Sequence, residues 1–316
     1  MPRTLPSWQA GADDRERVRA VIDDWAAAPG LQKLVRAFDG SIPELRGAER
    51  LSWLDAFAAV HWDFRGGLER NLADDVALKP QQEQLVLAHA GELGLAGIHR
   101  PSRAHYDTVL MTGGMIRAGI VKPRFVVELL ESGLEVDRIT FLGGFRDFVG
   151  DEIELARAFG IKGDNEFDAM VAGMELAFGP LGEPAIEELV GESRNASWCE
   201  YSWATARTRL SVIAAPSSAP DVRRANSADT YRFWAERRRT EAERSVLLVT
   251  TPIYVPYQGA AAVEILGLDY GLAVETVGTD DSAADLGEYS QLFLPRHHLQ
   301  ELRSAVGAMF SLRTRL

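Results

Sequence analysis

The stretch DTVLMTGG, residues 107–114, decides the fold class that the sequence predicts. It is a short apolar run that ends directly in a pair of glycines, and residues 124–132 after it have the apolar spacing of a helix. The run RITFLGG, residues 138–144, repeats this order and precedes a helix-like segment over 152–159. Strands, glycine turns and helices in alternation are typical of a parallel sheet.

The same alternation continues toward the end of the chain. Strand-like runs cover residues 210–215, 245–251 and 272–277, and helical patterns over 228–243 and 259–266 separate them. We therefore predict an α/β fold, a Rossmann-like doubly wound and mainly parallel sheet, over residues 105–316.

Two regions depart from this rhythm. Residues 1–104 have the periodicity of amphipathic helices, which predicts a helical N-terminal subdomain or cap. Residues 163–207 predict a helical insertion over the sheet edge, with helices at 165–178 and 184–190. On the predicted helix over 228–243, the run Arg237-Arg238-Arg239 stands among glutamates and favours a solvated face.

Composition limits the partners of the protein. The 316 residues carry a formal net charge of -12, which argues against nucleic acid as a partner because such surfaces accumulate Lys and Arg. No apolar run approaches the ~20 residues of a membrane span. The single cysteine, Cys199, cannot form an internal disulfide. We expect a cytoplasmic protein without a membrane partner; a homo-oligomer stays open.

The carboxyl ends of the predicted strands carry the candidate ligand site. Ligands of open parallel sheets bind there, glycine lets the backbone approach them, and arginine matches phosphate or carboxylate oxygens. We therefore predict a small anionic or nucleotide-like ligand. The residues expected to hold it are Gly113, Gly114, Arg124, Gly143, Gly144, Arg146, Ser217, Arg224, Asn226, Ser227, Thr251 and Tyr254.

Each of these turns also has a purely structural explanation. A glycine pair makes a tight strand-to-helix turn, an exposed arginine forms surface ion pairs, and Asn226 or Ser227 caps a helix. Four such turns at one end of one sheet favour a ligand over this explanation.

Acidic residues near these turns supply candidate chemistry. Asp147 and Asp229 are the predicted catalytic carboxylates, as general acid-base groups or metal ligands. Asp147, Asp151 and Glu152 would be the donors for a divalent cation, a cofactor that the sequence leaves open. The six histidines are scattered, so their spacing predicts no metal site.

Known catalytic fingerprints are missing from the sequence. Neither glycine pair completes Gly-x-x-x-x-Gly-Lys-Ser/Thr or Gly-x-Gly-x-x-Gly, and no Gly-x-Ser-x-Gly stands after a strand. Nucleoside-triphosphate hydrolysis, ordinary nicotinamide chemistry and serine-hydrolase chemistry therefore have no motif support.

The order of these elements resembles the bacterial family called domain of unknown function 218, which includes vancomycin-permeability and envelope-biogenesis proteins. The resemblance covers about residues 107–278: two strands into Gly-Gly, a Pro-Arg helix start, an Asn-Ser-x-Asp cap and a Val-Thr-Thr strand. It implies a Rossmann-like fold that binds S-adenosylmethionine or another nucleotide-containing ligand. The membrane anchor usual in that family, and counterparts for residues 1–104 and 163–207, are missing.

The function that we predict is an enzyme, a transferase or hydrolase acting on a nucleotide or phosphorylated metabolite. The alternative is a non-catalytic binding or sensor protein that uses the same pocket.

Overall fold

Seven strands form one sheet in the computed structural model, which describes residues 3–64, 77–97, 100–205 and 208–316. The strands are β1 His105–Thr112, β2 Glu135–Gly143, β3 Ala185–Leu189, β4 Trp198–Ala204, β5 Arg209–Ala214, β6 Ser245–Thr250 and β7 Ala273–Gly278. Their order across the sheet is β3-β4-β5-β2-β1-β6-β7.

The five strands from β5 to β7 are parallel, and β3 and β4 add an antiparallel edge. The chain starts at β1 in the middle, moves outward through β2 to β5, and then returns to the other side of β1 for β6 and β7. This is the order of a doubly wound sheet, and it confirms the predicted α/β, Rossmann-like fold class. The point where the order reverses lies between β1 and β6.

Eleven α-helices surround the sheet within the described ranges. They are α1 Asp14–Ala26, α2 Pro29–Ala37, α3 Gly47–His61, α4 Pro80–Ala90, α5 Ile116–Glu131, α6 Glu152–Ala158, α7 Glu166–Phe178, α8 Ser227–Phe233, α9 Val255–Ala262, α10 Asp281–Ala284 and α11 Pro295–Arg315. None of the described helices is both long enough and apolar enough to span a membrane.

Alternating strand residues divide the core between two faces, because successive side chains of a strand point to opposite sides. Leu110, Leu142 and Leu248 face one side, where they pack with residues of α1 to α4, α8, α9 and α11. Val109 and Phe141 face the other side, which α5 and α7 cover. The result is a sheet between two helical layers.

The N-terminal helices share their core with the C-terminal helix. Trp25 and Trp62 are fully buried in the same cluster as Leu302 of α11. The segment before α1 also pairs with β7, because Trp8 and Val274 exchange backbone hydrogen bonds of 2.8 and 2.7 Å. Residues before β1 therefore pack against the α/β part of the chain.

The predicted helix over 184–190 is wrong, because residues 185–189 form strand β3. Ala, Glu and Leu favour a helix locally, but β3 pairs with β4 along its whole length, with Glu187 opposite Glu200. The region 163–207 therefore contributes one helix, α7, and a hairpin that extends the sheet.

Helix α5 begins at Ile116 and not at Arg124, and it contains Pro123. A proline cannot donate to the carbonyl four residues earlier, which here belongs to Gly119. That carbonyl faces α7 at Gly173, where an added Cβ would lie only 1.9 Å from the Gly119 oxygen. The close approach of α5 and α7 fixes the start of α7 above the ends of β1 and β2.

Candidate functional site

A cavity of about 550 Å³ lies at the carboxyl ends of β1, β2, β6 and β7. It covers the reversal point between β1 and β6, where ligands of doubly wound sheets bind. Its volume falls in the range of roughly 300 to 1,000 Å³ that small-molecule sites occupy. Helix α11 closes the cavity opposite the strand ends with His298, Glu301 and Ser304.

The structure brings most of the predicted ligand residues to this cavity. The four turns after β1, β2, β5 and β6 meet at its wall, as expected for parallel strands whose carboxyl ends share one edge. The predicted residues that line it are Gly113, Gly114, Gly143, Gly144, Arg146, Arg224, Asn226, Ser227, Thr251 and Tyr254.

Two predicted ligand residues lie outside the lining. Arg124 is exposed on α5, where the preceding turns of the helix carry it away from the strand ends, and it donates to the Asp285 carbonyl at 2.9 Å. Ser217 is buried beneath its own loop and accepts from the Ala219 N–H group at 3.1 Å. The first hydrogen bond joins α5 to the residue that follows α10, and the second lies within the loop after β5.

The two predicted catalytic carboxylates also lie outside the lining. Asp147 is exposed and pairs with Arg194. Asp229 occupies the first turn of α8, where it accepts from Asn226 N at 3.0 Å, donates its own N–H to Asn226 Oδ1 at 3.0 Å, and pairs with Arg223. Burial would raise the pKa of Asp229, but the hydrogen bonds from Arg223 and Asn226 hold it below its usual value.

The carboxylates predicted as metal donors join separate arginines. Asp151 lies 3.0 Å from Arg117, Asp147 contacts Arg194, and Glu152 binds Arg146 with both oxygens at 2.7 and 2.8 Å. Each of these side chains therefore already has a cationic partner.

Glu166, the first residue of α7, lines the cavity and was missed by the sequence analysis. Only 4% of its surface is exposed, and its Oε1 accepts from the Gly114 N–H group at 2.5 Å. Its Oε2 lies 3.7 Å from Nε of Arg146. Burial raises the pKa of Glu166, while the charges of Arg146 and Arg224 oppose that rise.

Glycines at the strand ends make room for this carboxylate. A Cβ on Gly113 would lie 2.1 Å from Glu166 Oε1, and a Cβ on Gly143 would lie 2.7 Å from Met170 of α7 and 3.1 Å from the same Oε1. The Gly-Gly turns therefore admit a buried acidic side chain of the chain itself.

A second buried carboxylate accepts a hydrogen bond from another backbone amide of the same turn. Glu152 is fully buried, and its Oε1 accepts from the N–H group of Ile116, the first residue of α5, at 3.1 Å. In dinucleotide-binding folds this turn holds the pyrophosphate. Here the carboxylates of Glu166 and Glu152 accept the hydrogen bonds of the Gly114 and Ile116 amides instead.

Lys122 lies beneath the first turn, with 1% of its surface exposed. Its Nζ donates to the Thr112 carbonyl at 2.5 Å, the Thr112 hydroxyl at 3.0 Å and the Gly113 carbonyl at 3.0 Å. Burial lowers the pKa of Lys122 to about 7, and the charge of Glu166 opposes that fall. Lys122 stands before the helix predicted over 124–132, so the sequence pattern gave no sign of this burial.

The far wall of the cavity is acidic. Asp280 and Asp281 follow β7, and Glu301 projects from α11 with 2% of its surface exposed. Asp280 also caps α10 through the Ala283 N–H group at 2.9 Å. Burial lowers the pKa of His298 on the same wall. Carboxylates thus line both parts of the cavity, with Arg146 and Arg224 beside Glu166 near the glycine turns.

A possible metal-binding group lies at the opposite end of the sheet. Ligand atoms of His105, Asp107 and Asp137 lie within 4.8 Å of one another. Asp107 Oδ2 already accepts from Arg244 N at 2.8 Å, Ser245 N at 2.7 Å and Ser245 Oγ at 2.8 Å, which joins β1 to β6. These contacts explain Asp107 as a structural residue.

The fold and the cavity define an α/β protein with a doubly wound sheet and a ligand-sized site at its reversal point. Residues 9–94 match the family model described as Rv3785 N-terminal domain. The chain is 30% identical to Uncharacterized protein Rv3785 of Mycobacterium tuberculosis (strain ATCC 25618 / H37Rv) and to Uncharacterized protein Mb3814 of Mycobacterium bovis (strain ATCC BAA-935 / AF2122/97). Both alignments cover 95% of this chain and 90% of the relative. The chain therefore belongs to the Rv3785 family.

This membership corrects the resemblance to domain of unknown function 218, which is wrong. The family match falls on residues 9–94, the helical region for which that resemblance had no counterpart. Short motifs such as a strand into Gly-Gly arise wherever parallel strands turn closely into helices, so they did not identify the family. No solved structure matches the chain.

Proposed function

We propose that this protein is an enzyme that acts on a small nucleotide-like or phosphorylated metabolite in the cavity, with Glu166 as its general acid-base. The observation that supports this most is the buried Glu166 carboxylate, which lines a ligand-sized cavity beside Arg146 and Arg224. Asp147 and Asp229 are not assigned this role, because neither lines the cavity.

The charges of the site favour an anionic group near the glycine turns. Arg146 and Arg224 line the cavity beside these turns, and a guanidinium group presents N–H donors in a geometry that matches phosphate or carboxylate oxygens. A ligand with such an anionic end would form charge-assisted hydrogen bonds with them.

The acidic far wall favours hydrogen-bond donors on the rest of the ligand. Asp280 and Glu301 offer carboxylate oxygens that would accept from ribose hydroxyls or an amine. A molecule with an anionic end and a hydroxyl-rich or amino end fits both walls. Nucleotides, sugar phosphates and S-adenosylmethionine all have this character.

Glu166 suits proton transfer because burial raises its pKa toward the working pH of a general acid-base. The Gly114 N–H group holds one oxygen in place. The neighbouring arginines would stabilise negative charge that develops on the substrate.

A ligand screen tests the proposal. Nucleoside mono- and triphosphates, sugar phosphates and S-adenosylmethionine are incubated with the protein, while the melting temperature and products are followed by scanning fluorimetry and mass spectrometry. We expect one class to raise the melting temperature and to be converted. Glu166→Gln should retain binding and lose conversion by about 100-fold or more.

Glu188→Gln is the matched control, because Glu188 is an exposed carboxylate on β3, far from the cavity lining. It should behave like the wild type. A ligand that raises the melting temperature without any conversion would contradict the enzyme and support a binding or sensor protein. Failure of every compound to raise the melting temperature would contradict the site itself.

A further inference from the structure

A chain of hydrogen bonds crosses the floor of the cavity between β1 and α8. The Thr112 hydroxyl donates to Thr250 Oγ1 at 3.0 Å, and the Thr250 hydroxyl donates to Gln258 Oε1. The Gln258 amide then donates from Nε2 to Ser227 Oγ at 3.3 Å. Thr112, Gln258 and Ser227 line the cavity, whereas Thr250 is fully buried beneath it.

Lys122 sets the direction of this chain. An ammonium group has three donors and no acceptor, and the three contacts of Lys122 are all to oxygen acceptors, one of which is the Thr112 hydroxyl. Because that hydroxyl accepts from Lys122, its own proton is available for Thr250. Thr250 in turn donates to Gln258, which fixes Oε1 toward the core and Nε2 toward Ser227.

We propose that Gln258 is a specificity-determining residue of the cavity and that Lys122 is its positioning residue, acting through Thr112 and Thr250. This inference rests on the proposed function, since it describes the ligand that the same site selects. With its Oε1 held by Thr250 and one N–H donated to Ser227, the amide has one further N–H for the cavity side. The site then selects a ligand that places a hydrogen-bond acceptor, such as a phosphate, carboxylate or carbonyl oxygen, beside Gln258.

Loss of the Lys122 proton reverses the chain. A neutral amine keeps two donors and gains one acceptor, so it accepts from the Thr112 hydroxyl. Thr112 then accepts from Thr250, and Gln258 rotates its amide so that Nε2 donates to Thr250. The amide now presents Oε1 to the cavity, and the site prefers a ligand with a donor at that position.

The charged groups around Lys122 favour this transition near neutral pH. From the elements packed against α5, α7 presents Glu166 and α6 presents Glu152, which Arg146 already pairs. β6 presents the neutral Thr250, and Asp280 and Asp281 stand at the start of α10. Of these, Glu166 stabilises the charged form of Lys122, and burial opposes it and lowers its pKa to about 7.

Nuclear magnetic resonance of the whole protein tests the inference without a ligand. The chain has four lysines, Lys33, Lys79, Lys122 and Lys162, so [¹³Cε]lysine labelling gives few signals. We expect one signal, absent in Lys122→Met, to titrate near pH 7. The ¹⁵N side-chain amide signal of Gln258, assigned by its loss in Gln258→Leu, should shift with the same midpoint.

Thr250→Val is the decisive variant, because valine has the shape of threonine without the hydroxyl. It should leave the Lys122 titration in place and abolish the pH response of the Gln258 amide. A Gln258 signal that keeps its response in Thr250→Val, or that never follows Lys122 in the wild type, would overturn the inference. These outcomes need no ligand, so they leave the ligand screen of the proposed function unaffected.

A ligand arm tests the specificity itself. Once the screen provides a binding compound, Gln258→Glu, which replaces the N–H donors by an acceptor, should weaken its binding by about 30-fold at pH 6. The same change at Gln84, an exposed glutamine of α4 outside the cavity lining, should alter binding little. Unchanged affinity in Gln258→Glu would contradict the role of Gln258 while leaving the enzyme proposal intact.

Discussion

Two clusters of buried charge pack against the same sheet, and the first borders the cavity at the reversal point. The carboxyl-end cluster consists of Arg146, Glu152, Glu166 and Lys122. The amino-end cluster consists of Arg138, Glu200, Arg238 and Glu243. Both contain buried carboxylates, with Glu152 fully buried and Glu200 2% exposed.

The amino-end cluster is closed by its own partners. Arg138 lies 3.1 Å from Glu200 and 3.8 Å from Glu243, and Arg238 pairs with Glu200 and stacks on Trp198 with its guanidinium carbon 5.4 Å from the ring centre. None of these residues lines the cavity. The carboxyl-end cluster differs because its Arg146 and Glu166 line the cavity. Buried charge therefore indicates a functional site only where the fold also leaves room for a ligand.

The largest expected effect comes from breaking the amino-end cluster. Glu200→Ala leaves Arg138 and Arg238 buried with too little compensating charge, which should lower the free energy of unfolding by about 3 to 5 kcal/mol. Urea denaturation measures this loss, and Glu188→Gln on the neighbouring strand should stay within about 0.5 kcal/mol of wild type. At a temperature where the variant is folded, its affinity for the ligand should equal that of the wild type. Lost binding in a fully folded Glu200→Ala would break the contrast between the clusters.

Between pH 7 and pH 9, the free energy of unfolding of the wild type should rise by about 2 to 3 kcal/mol relative to that of Lys122→Met. Its pKa is about 7 in the folded protein and near 10.5 unfolded, so between these values the unfolded chain holds a proton that the native one lacks. The free energy of unfolding of the wild type should therefore rise with pH in this window, by up to about 1.4 kcal/mol per pH unit relative to Lys122→Met.

Denaturation of both proteins at pH 7 and pH 9 measures this slope. Below pH 7 the difference between them should be constant, because both states of the wild type are then protonated. Lys33→Met, at an exposed position of α2, is the matched control, measured in the same way. If the free energies of unfolding of Lys122→Met and wild type changed equally from pH 7 to 9, the pKa of Lys122 would not be lowered in the folded protein, which would contradict the prediction.

Gly113→Ala should lower the free energy of unfolding by about 1 to 3 kcal/mol and also weaken ligand binding. The new Cβ would lie 2.1 Å from Glu166 Oε1 and 3.0 Å from the Leu142 carbonyl, so the carboxylate must leave the Gly114 amide. We expect a lower unfolding midpoint together with weaker binding of the compound found in the screen. Gly91→Ala, where a Cβ meets nothing within 4 Å, is the matched control. Unchanged binding would show that the position of Glu166 does not matter to the ligand.

Much of the cavity rim could be predicted from the sequence, because it depends on local order. An apolar run into Gly-Gly predicts where β1 and β2 end, and parallel strands then bring Gly114, Gly144 and Thr251 to one edge. Local order also explains the error at residues 184–190, where helix-forming residues pair as a strand through contacts made only with β4.

Glu166, Lys122 and Arg238 could not be predicted in the same way. The burial of Glu166 and Lys122 depends on the close approach of α5 and α7 at Gly119 and Gly173, which no local pattern records. The run Arg237-Arg238-Arg239 predicted a solvated face, but Arg238 is 17% exposed and joins the amino-end cluster. A π-helical turn over Trp234–Arg238 ends the predicted helix early and turns this arginine toward Glu200.

The smallest effect, about 1 kcal/mol, is expected for Asp229→Ala, and it separates capping from catalysis. The variant removes the hydrogen bond that the Asp229 carboxylate accepts from Asn226 N and the pair with Arg223, so the free energy of unfolding at pH 7 should fall by about that amount. The backbone N–H group of residue 229 keeps its hydrogen bond to Asn226 Oδ1. The pKa of Asp229 is lowered in the folded protein, so this stabilisation is present above pH 4 and is lost as the pH falls below the unfolded value of 3.8. Wild type and variant should therefore converge in stability as the pH falls through the lowered pKa of Asp229 in the folded protein. Conversion of the substrate should be unchanged, because Asp229 lies outside the cavity lining. If conversion instead fell by about 100-fold in a stably folded Asp229→Ala, the acid-base role would belong to Asp229 and not to Glu166.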